Sequence, residues 1–63
     1  MTYHSSILCS FSESLALFIA DNNLEFERQN FGFLVHAKSQ KEEDLVIKEC
    51  HLLDLKSTVY VEK

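Results

Sequence analysis

The chain has 63 residues and a formal net charge of −4, and a chain this short buries only about 60% of the surface that its unfolded form exposes. Hydrophobic residues make up 46% of it, proline is absent and glycine occurs once, so the composition excludes an intrinsically disordered chain. The whole net negative charge lies in residues 1–27, which disfavours direct binding to nucleic acid or to membranes. We therefore expect one compact domain spanning residues 1–63.

The two cysteines, Cys9 and Cys50, could form one bridge, but they are too few for the disulfide framework of a small secreted protein. We interpret both as buried thiols in a reducing compartment. The first 20 residues contain no Lys or Arg, and Glu13 interrupts their apolar run, which disfavours a secretory signal. The longest apolar run, 15–20, is far shorter than a membrane span. These features predict a cytoplasmic protein.

The first half of the chain predicts a strand over 2–9 and a helix over about 11–22. Between them lies a capping-box sequence, in which Ser10 would cap the helix and Glu13 would reach back to it. Leu15, Phe18 and Ile19 form the apolar stripe of the helix. The sequence at 21–23, Asp-Asn-Asn, is typical of a helix end, because Asn tolerates a left-handed backbone.

In the second half, strands are predicted over 24–28 and 33–37, with a turn at 29–32 that contains Gly32. A second capping box, from Ser39 to Glu42, begins a helix over about 40–54. A β-branched run at 57–62 predicts the last strand. The order is βαββαβ, typical of an α+β ferredoxin-like domain with a four-stranded antiparallel sheet and both helices on one face. In the alternative, 24–37 is one bent strand and the order is βαβαβ.

Strand alternation assigns side chains to the two faces of this sheet. One set should pack under the helices, and the other should form an open face of apolar residues among polar ones. The predicted core contains Ile7, Cys9, Leu15, Phe18, Ile19, Leu24, Phe26, Phe33, Val35, Val46, Ile47, Cys50, Leu53, Val59 and Val61. The predicted open face contains His4, Ser6, Leu8, Glu25, Glu27, Leu34, His36, Tyr60 and Glu62.

The sequence carries no catalytic, cofactor or metal signature. Its Cys and His residues lack the short paired spacings of zinc sites, and Cys50 and His51 are neighbours that point in different directions on a helix. Gly32 stands alone, so there is no glycine-rich phosphate loop. A domain of this size also has little room for a pocket of the usual few hundred cubic ångströms. We expect no enzyme activity and no cofactor.

The remaining hypothesis is a small acidic protein-binding module, which inhibits or regulates a larger protein by docking on its basic, nucleic-acid-binding surface. Very small acidic proteins of phages and mobile elements that block host defences, such as anti-CRISPR proteins, are similar in size and charge but share no motif with this chain. The candidate partner-binding residues are Leu8, Glu25, Glu27, Leu34, His36, Tyr60 and Glu62.

Two other interpretations of the same features stay open. The open face could instead join two copies of the chain, giving a homo-oligomeric structural or small-ligand-binding module. The acidity could serve solubility alone.

Overall fold

The computed structural model describes residues 3–62, and its elements follow the βαββαβ order. Each of the six segments predicted from periodicity forms the expected element, with ends that differ by a few residues. The elements are β1 (His4–Ser10), α1 (Glu13–Asp21), β2 (Glu25–Gln29), β3 (Gly32–Ala37), α2 (Gln40–Leu52) and β4 (Ser57–Glu62).

The four strands form one antiparallel sheet in the order β2-β3-β1-β4. β2 and β3 pair as a hairpin with Gln29 opposite Gly32, so the single bent strand of the alternative topology is wrong. β1 lies between β3 and β4, and each pair of strands joined by a helix has another strand between its members. This is the interleaved arrangement of an α+β ferredoxin-like domain, as the sequence predicted.

The helices begin at serine caps, but one of the two differs from the prediction. Ser10 is the last residue of β1 and pairs with Gly32, and Ser12 caps α1 by accepting a 3.4 Å hydrogen bond from the Leu15 amide. The prediction that Ser10 is the cap is therefore wrong, because the strand continues one residue further than predicted and takes up Ser10, which moves the cap two residues along the chain to Ser12. At α2, Ser39 accepts from the Glu42 amide at 3.2 Å, as expected.

Each helix is followed, two residues after its last residue, by a residue with a left-handed backbone. Asn23 has φ 53° and Asp54 has φ 57°. After them, the amide of Leu24 donates to the carbonyl of Ile19 at 3.0 Å, and the amide of Leu55 donates to that of Cys50 at 2.8 Å. These six-to-one bonds define Schellman motifs. The Asn23 end agrees with the sequence prediction, whereas α2 ends at Leu52, two residues earlier than expected.

The core lies between the helices and the two central strands. Its hydrophobic members are Ile7, Cys9, Leu15, Ile19, Phe33, Val35, Ala37, Val46 and Cys50. Phe26 and Val61 were predicted to be buried and are instead 45% and 53% exposed. They point towards the helix side but lie on the edge strands β2 and β4, whereas α2 lies over β1 and β3.

Gly32 is required by a close approach of two strands. A Cβ atom on Gly32 would lie 1.9 Å from the carbonyl oxygen of Cys9, so any other residue would force β1 and β3 apart. The hairpin turn itself is formed by Asn30 and Phe31. The only glycine in the chain therefore allows the central strands to pair.

Candidate functional site

The sheet register places the predicted binding residues on one surface, which we call the open face. Opposite residues in antiparallel strands project from the same side of a sheet. Ser6 lies opposite both His36 and Tyr60, Leu8 lies opposite Leu34, and this side faces away from the helices. On the edge strand, Glu25 lies opposite His36, and Glu27 lies opposite Leu34.

The remaining predicted residue, Glu62, pairs with His4 at the end of β4. This register puts its backbone in line with the open face, but its side chain lies outside the part of the chain that the structure describes.

The apolar part of the open face is formed by Leu8, Leu34 and Tyr60. Leu8 is 38% exposed and Tyr60 is 54% exposed, while Leu34 is half-buried between its neighbours. β1 runs between β3 and β4, so Leu8 and Ser6 separate Leu34 from Tyr60. The three side chains therefore share one surface with polar groups between them.

Three polar side chains form a hydrogen-bonded chain across the open face. His36 Nε2 lies 2.8 Å from Glu27 Oε2, and His36 Nδ1 lies 3.2 Å from Ser6 Oγ. A carboxylate only accepts hydrogen bonds, so His36 donates its Nε2 proton to Glu27. In the neutral imidazole, Nδ1 then accepts from the Ser6 hydroxyl. The result is a fixed tautomer and a fixed ring orientation.

The Ser6–His36–Glu27 side chains follow the order of groups in the triads of hydrolases with a serine nucleophile. Such a site also needs hydrogen-bond donors for the oxyanion, and these are missing around Ser6 in the part of the chain that the structure describes. Acyl transfer needs backbone donors aimed at the developing oxyanion. Ser6 lies in the middle of β1, which pairs with a strand on each side, so within residues 3–62 the amides around it are directed into the sheet. The chain of hydrogen bonds orients side chains and provides no oxyanion hole.

The charge of the open face is negative. Among the strand residues described on this face, none is Lys or Arg, and Glu25 and Glu27 project from β2. Lys38, which follows β3, approaches Glu25 with Nζ 3.8 Å from Oε2. Both groups of this pair are largely exposed, so solvent screens it strongly. The carboxylates of Glu25 and Glu27 are therefore largely exposed to solvent.

Sequence reasoning missed Phe31, which adds an apolar group at one end of the open face. Phe31 is 89% exposed in the turn between β2 and β3. It borders a shallow depression of about 150 Å³. An aromatic residue in a two-residue turn has no neighbouring element to cover it. The position of Phe31 next to Gly32 in the predicted turn is therefore the signal that would have identified it as exposed. The depression is lined by Leu8, Cys9, Ser10, Phe31, Lys56 and Thr58.

A second aromatic group lies on the helix side of the β2 edge. Phe11 stacks on Phe33 with ring centroids 5.4 Å apart, and Phe26 meets Phe33 edge-on at 5.5 Å. Arg28 covers the group, with Cζ 5.1 Å from the centre of the Phe11 ring. This packing and the cation–π contact account for the half-exposed rings of Phe11 and Phe26 beside the buried Phe33.

One carboxylate is buried away from the open face. Glu43 on α2 accepts hydrogen bonds from the Tyr3 hydroxyl at 2.6 Å and from Gln40 Nε2 at 2.8 Å. The hydrogen bond from Tyr3 lowers the pKa of Glu43, and the same bond raises the pKa of Tyr3. Glu43 thus links the start of the described chain to α2 and is a structural group.

Among residues 3–62, no three His, Cys, Asp or Glu side chains converge on a metal-sized space. None of the helices in that range combines the length and the apolar character needed to cross a membrane. A larger depression of about 380 Å³ lies against Lys41, Asp44, Leu45 and Lys48, which all belong to the outer side of α2.

Comparisons of the chain with models of protein families, with curated proteins and with solved structures gave no significant match.

Proposed function

We propose that the protein is a non-enzymatic binding module, and that its open face docks on a basic surface of a larger protein as an inhibitor or regulator. One observation carries the proposal. The open face combines the exposed apolar side chains of Leu8 and Tyr60 with the carboxylates of Glu25 and Glu27, and none of its described strand residues is Lys or Arg. This combination suits a cationic protein surface and repels phosphate backbones.

The apolar residues would supply most of the binding free energy. Interfaces concentrate their affinity in a few desolvated anchors, among which Tyr is enriched. Tyr60 and Phe31 are both more than half exposed, and aromatic side chains bury roughly 150–250 Å² each. A standard interface buries about 800 Å² per partner. The exposed surface of the described protein is 4688 Å², so about a sixth of it would suffice.

The carboxylates would contribute mainly to partner choice and association rate. Exposed ion pairs add little affinity, whereas complementary charge accelerates encounter and excludes partners of the wrong sign. A basic groove that normally binds nucleic acid fits this description. A protein that occupies such a groove would compete with its nucleic acid and would bind less well as salt rises.

The test is affinity capture from nuclease-treated lysate with the wild type and two charge variants. Glu25→Gln with Glu27→Gln removes two charges from the open face. Glu13→Gln with Asp21→Asn removes two charges from α1, on the other side of the sheet. We expect the open-face variant to retain less of a partner than the wild type and the α1 variant do, and nucleic acid to compete for that partner. Equal retention by both variants at all salt concentrations would overturn the electrostatic part of the proposal.

A homodimer through the open face is the second candidate, supported by the exposure of Phe31 next to Leu8. Small domains often gain stability by self-association. This candidate predicts a dimer at micromolar concentration that Leu34→Asp dissociates, measured by light scattering. A monomer under those conditions would eliminate it. A small ligand at the open face is less well supported, because the depression beside Phe31, about 150 Å³, is below the usual size of a ligand pocket.

A further inference from the structure

Cys9 and Cys50 are the only cysteines in the chain, and the fold brings them into contact across the core. Cys9 lies on β1 and Cys50 lies on α2, 41 positions later, with their Sγ atoms 3.4 Å apart. Both are buried and both are free thiols. Cys50 donates to Cys9, whose own thiol points to the carbonyl of Ile7 at 3.6 Å. The sequence predicted buried thiols but not their contact.

We propose that Cys9 and Cys50 are a redox-modification site that forms a reversible intramolecular disulfide under peroxide. A disulfide has an S–S distance of about 2.05 Å, so the two sulfur atoms must approach by a little over 1 Å. Side-chain rotation with a small shift of α2 supplies this, because the cysteines already face one another from packed elements. The pairing is unique, since no third thiol competes for either sulfur within one chain.

The reaction is a two-electron oxidation with hydrogen peroxide as oxidant. One thiolate attacks a peroxide oxygen, the O–O bond breaks, and the sulfur becomes a sulfenic acid as hydroxide leaves and takes up a proton. The second cysteine then attacks the sulfenic sulfur, forming the S–S bond and releasing water. In total, two thiols and one peroxide give one disulfide and two water molecules.

Burial makes this site slow and selective. Contact with Cys50 and desolvation raise the pKa of the Cys9 thiol far above its usual range, so Cys9 keeps its proton at neutral pH in the closed fold. Cys9 is 2% exposed and Cys50 is fully buried, so peroxide reaches the two sulfur atoms only through a transient opening between α2 and the sheet. Once formed, the bond would fix α2 to the central strand and hold the chain closed.

The test is intact-mass and peptide-mapping spectrometry of the folded protein before and after treatment with hydrogen peroxide. We expect loss of two hydrogen atoms, a linked peptide containing Cys9 and Cys50, and full reversal by dithiothreitol. The melting temperature should rise by at least about 10 °C, because the bond closes a long loop in a small domain. The single variants Cys9→Ala and Cys50→Ala should show none of these changes.

The wild-type peptide map keeps the test decisive even if one of these variants fails to fold. The same treatment of protein unfolded in guanidinium shows that both thiols react when accessible. If the folded protein keeps both thiols, forms only links between molecules, or proceeds to sulfinic acid, the proposal is wrong.

Discussion

Ile7 and Leu8 are neighbours on β1, and they illustrate the two faces of one sheet. Ile7 points towards the helices and is fully buried, whereas Leu8 points to the open face and is 38% exposed. Both are branched aliphatic residues of equal size, so their different surroundings come from strand alternation and from the position of the helices. The comparison shows that residue type alone does not place a side chain in the core. The side of the sheet to which the side chain points decides whether it is buried.

The two faces also differ in the hydrogen bonding and solvent exposure of their polar groups. On the helix side, Glu43 is the one buried charged side chain among the residues that the structure describes, and it has two hydrogen-bond donors within 2.8 Å. On the open face, Glu27 and His36 form a pair that remains in contact with water. The helix side therefore stabilises the fold, and the open face has groups that can exchange water for a partner.

The largest expected difference between the faces is in stability. Ile7→Ala should lower the free energy of unfolding by about 2–5 kcal/mol, because it removes buried methyl groups and leaves a cavity. Leu8→Ala, on the adjacent residue, should cost less than about 1 kcal/mol, because part of its side chain is already in water. Urea denaturation of both variants measures the two values. Equal losses would mean that the open face is covered in solution.

A smaller effect is expected at Glu43. Its pKa in the folded state is below the unfolded value, so its ionised form adds stability above the unfolded pKa, and this contribution is lost as pH falls. Glu43→Gln replaces charge-assisted hydrogen bonds by neutral ones, so it should cost about 1–2 kcal/mol at neutral pH and less in acid, where Glu43 is protonated. Thermal melts across this range measure the change. Glu13→Gln, at an exposed helix position, is the matched control, and an equal pH dependence in both variants would contradict the assignment.

The sequence predicted the fold well where a local pattern sets the structure. Alternation gave the correct faces for β1 and β3, and Ser39 with Glu42 gave the correct start of α2. The prediction that Phe26 is buried failed, because burial on an edge strand depends on how far the helices extend over it. The sequence pattern of β2 contains no information on that distance. The register places the candidate residues on one face, as alternation predicted, but Phe31 was missed because a turn residue has no periodicity.

The smallest expected effect on stability is at the open-face hydrogen bonds. His36→Gln removes the contacts to Glu27 and Ser6, which are only partly shielded from water. We expect the free energy of unfolding to change by no more than about 0.5 kcal/mol, because exposed pairs contribute little. Urea denaturation of the variant and the wild type measures this change. A loss of more than about 2 kcal/mol in the free energy of unfolding would mean that these hydrogen bonds stabilise the fold and do not serve binding.

The central claim is that the open face, and not the helix side, binds the partner. The most direct test is the dissociation constant of the captured partner for Tyr60→Ser and for Leu17→Ser. Both replace an apolar side chain that is more than half exposed, one on the open face and one on α1. We predict at least about tenfold weaker binding for Tyr60→Ser, as expected for an interface anchor, and no change for Leu17→Ser. Weaker binding for Leu17→Ser alone would place the interface on the helices and contradict the account.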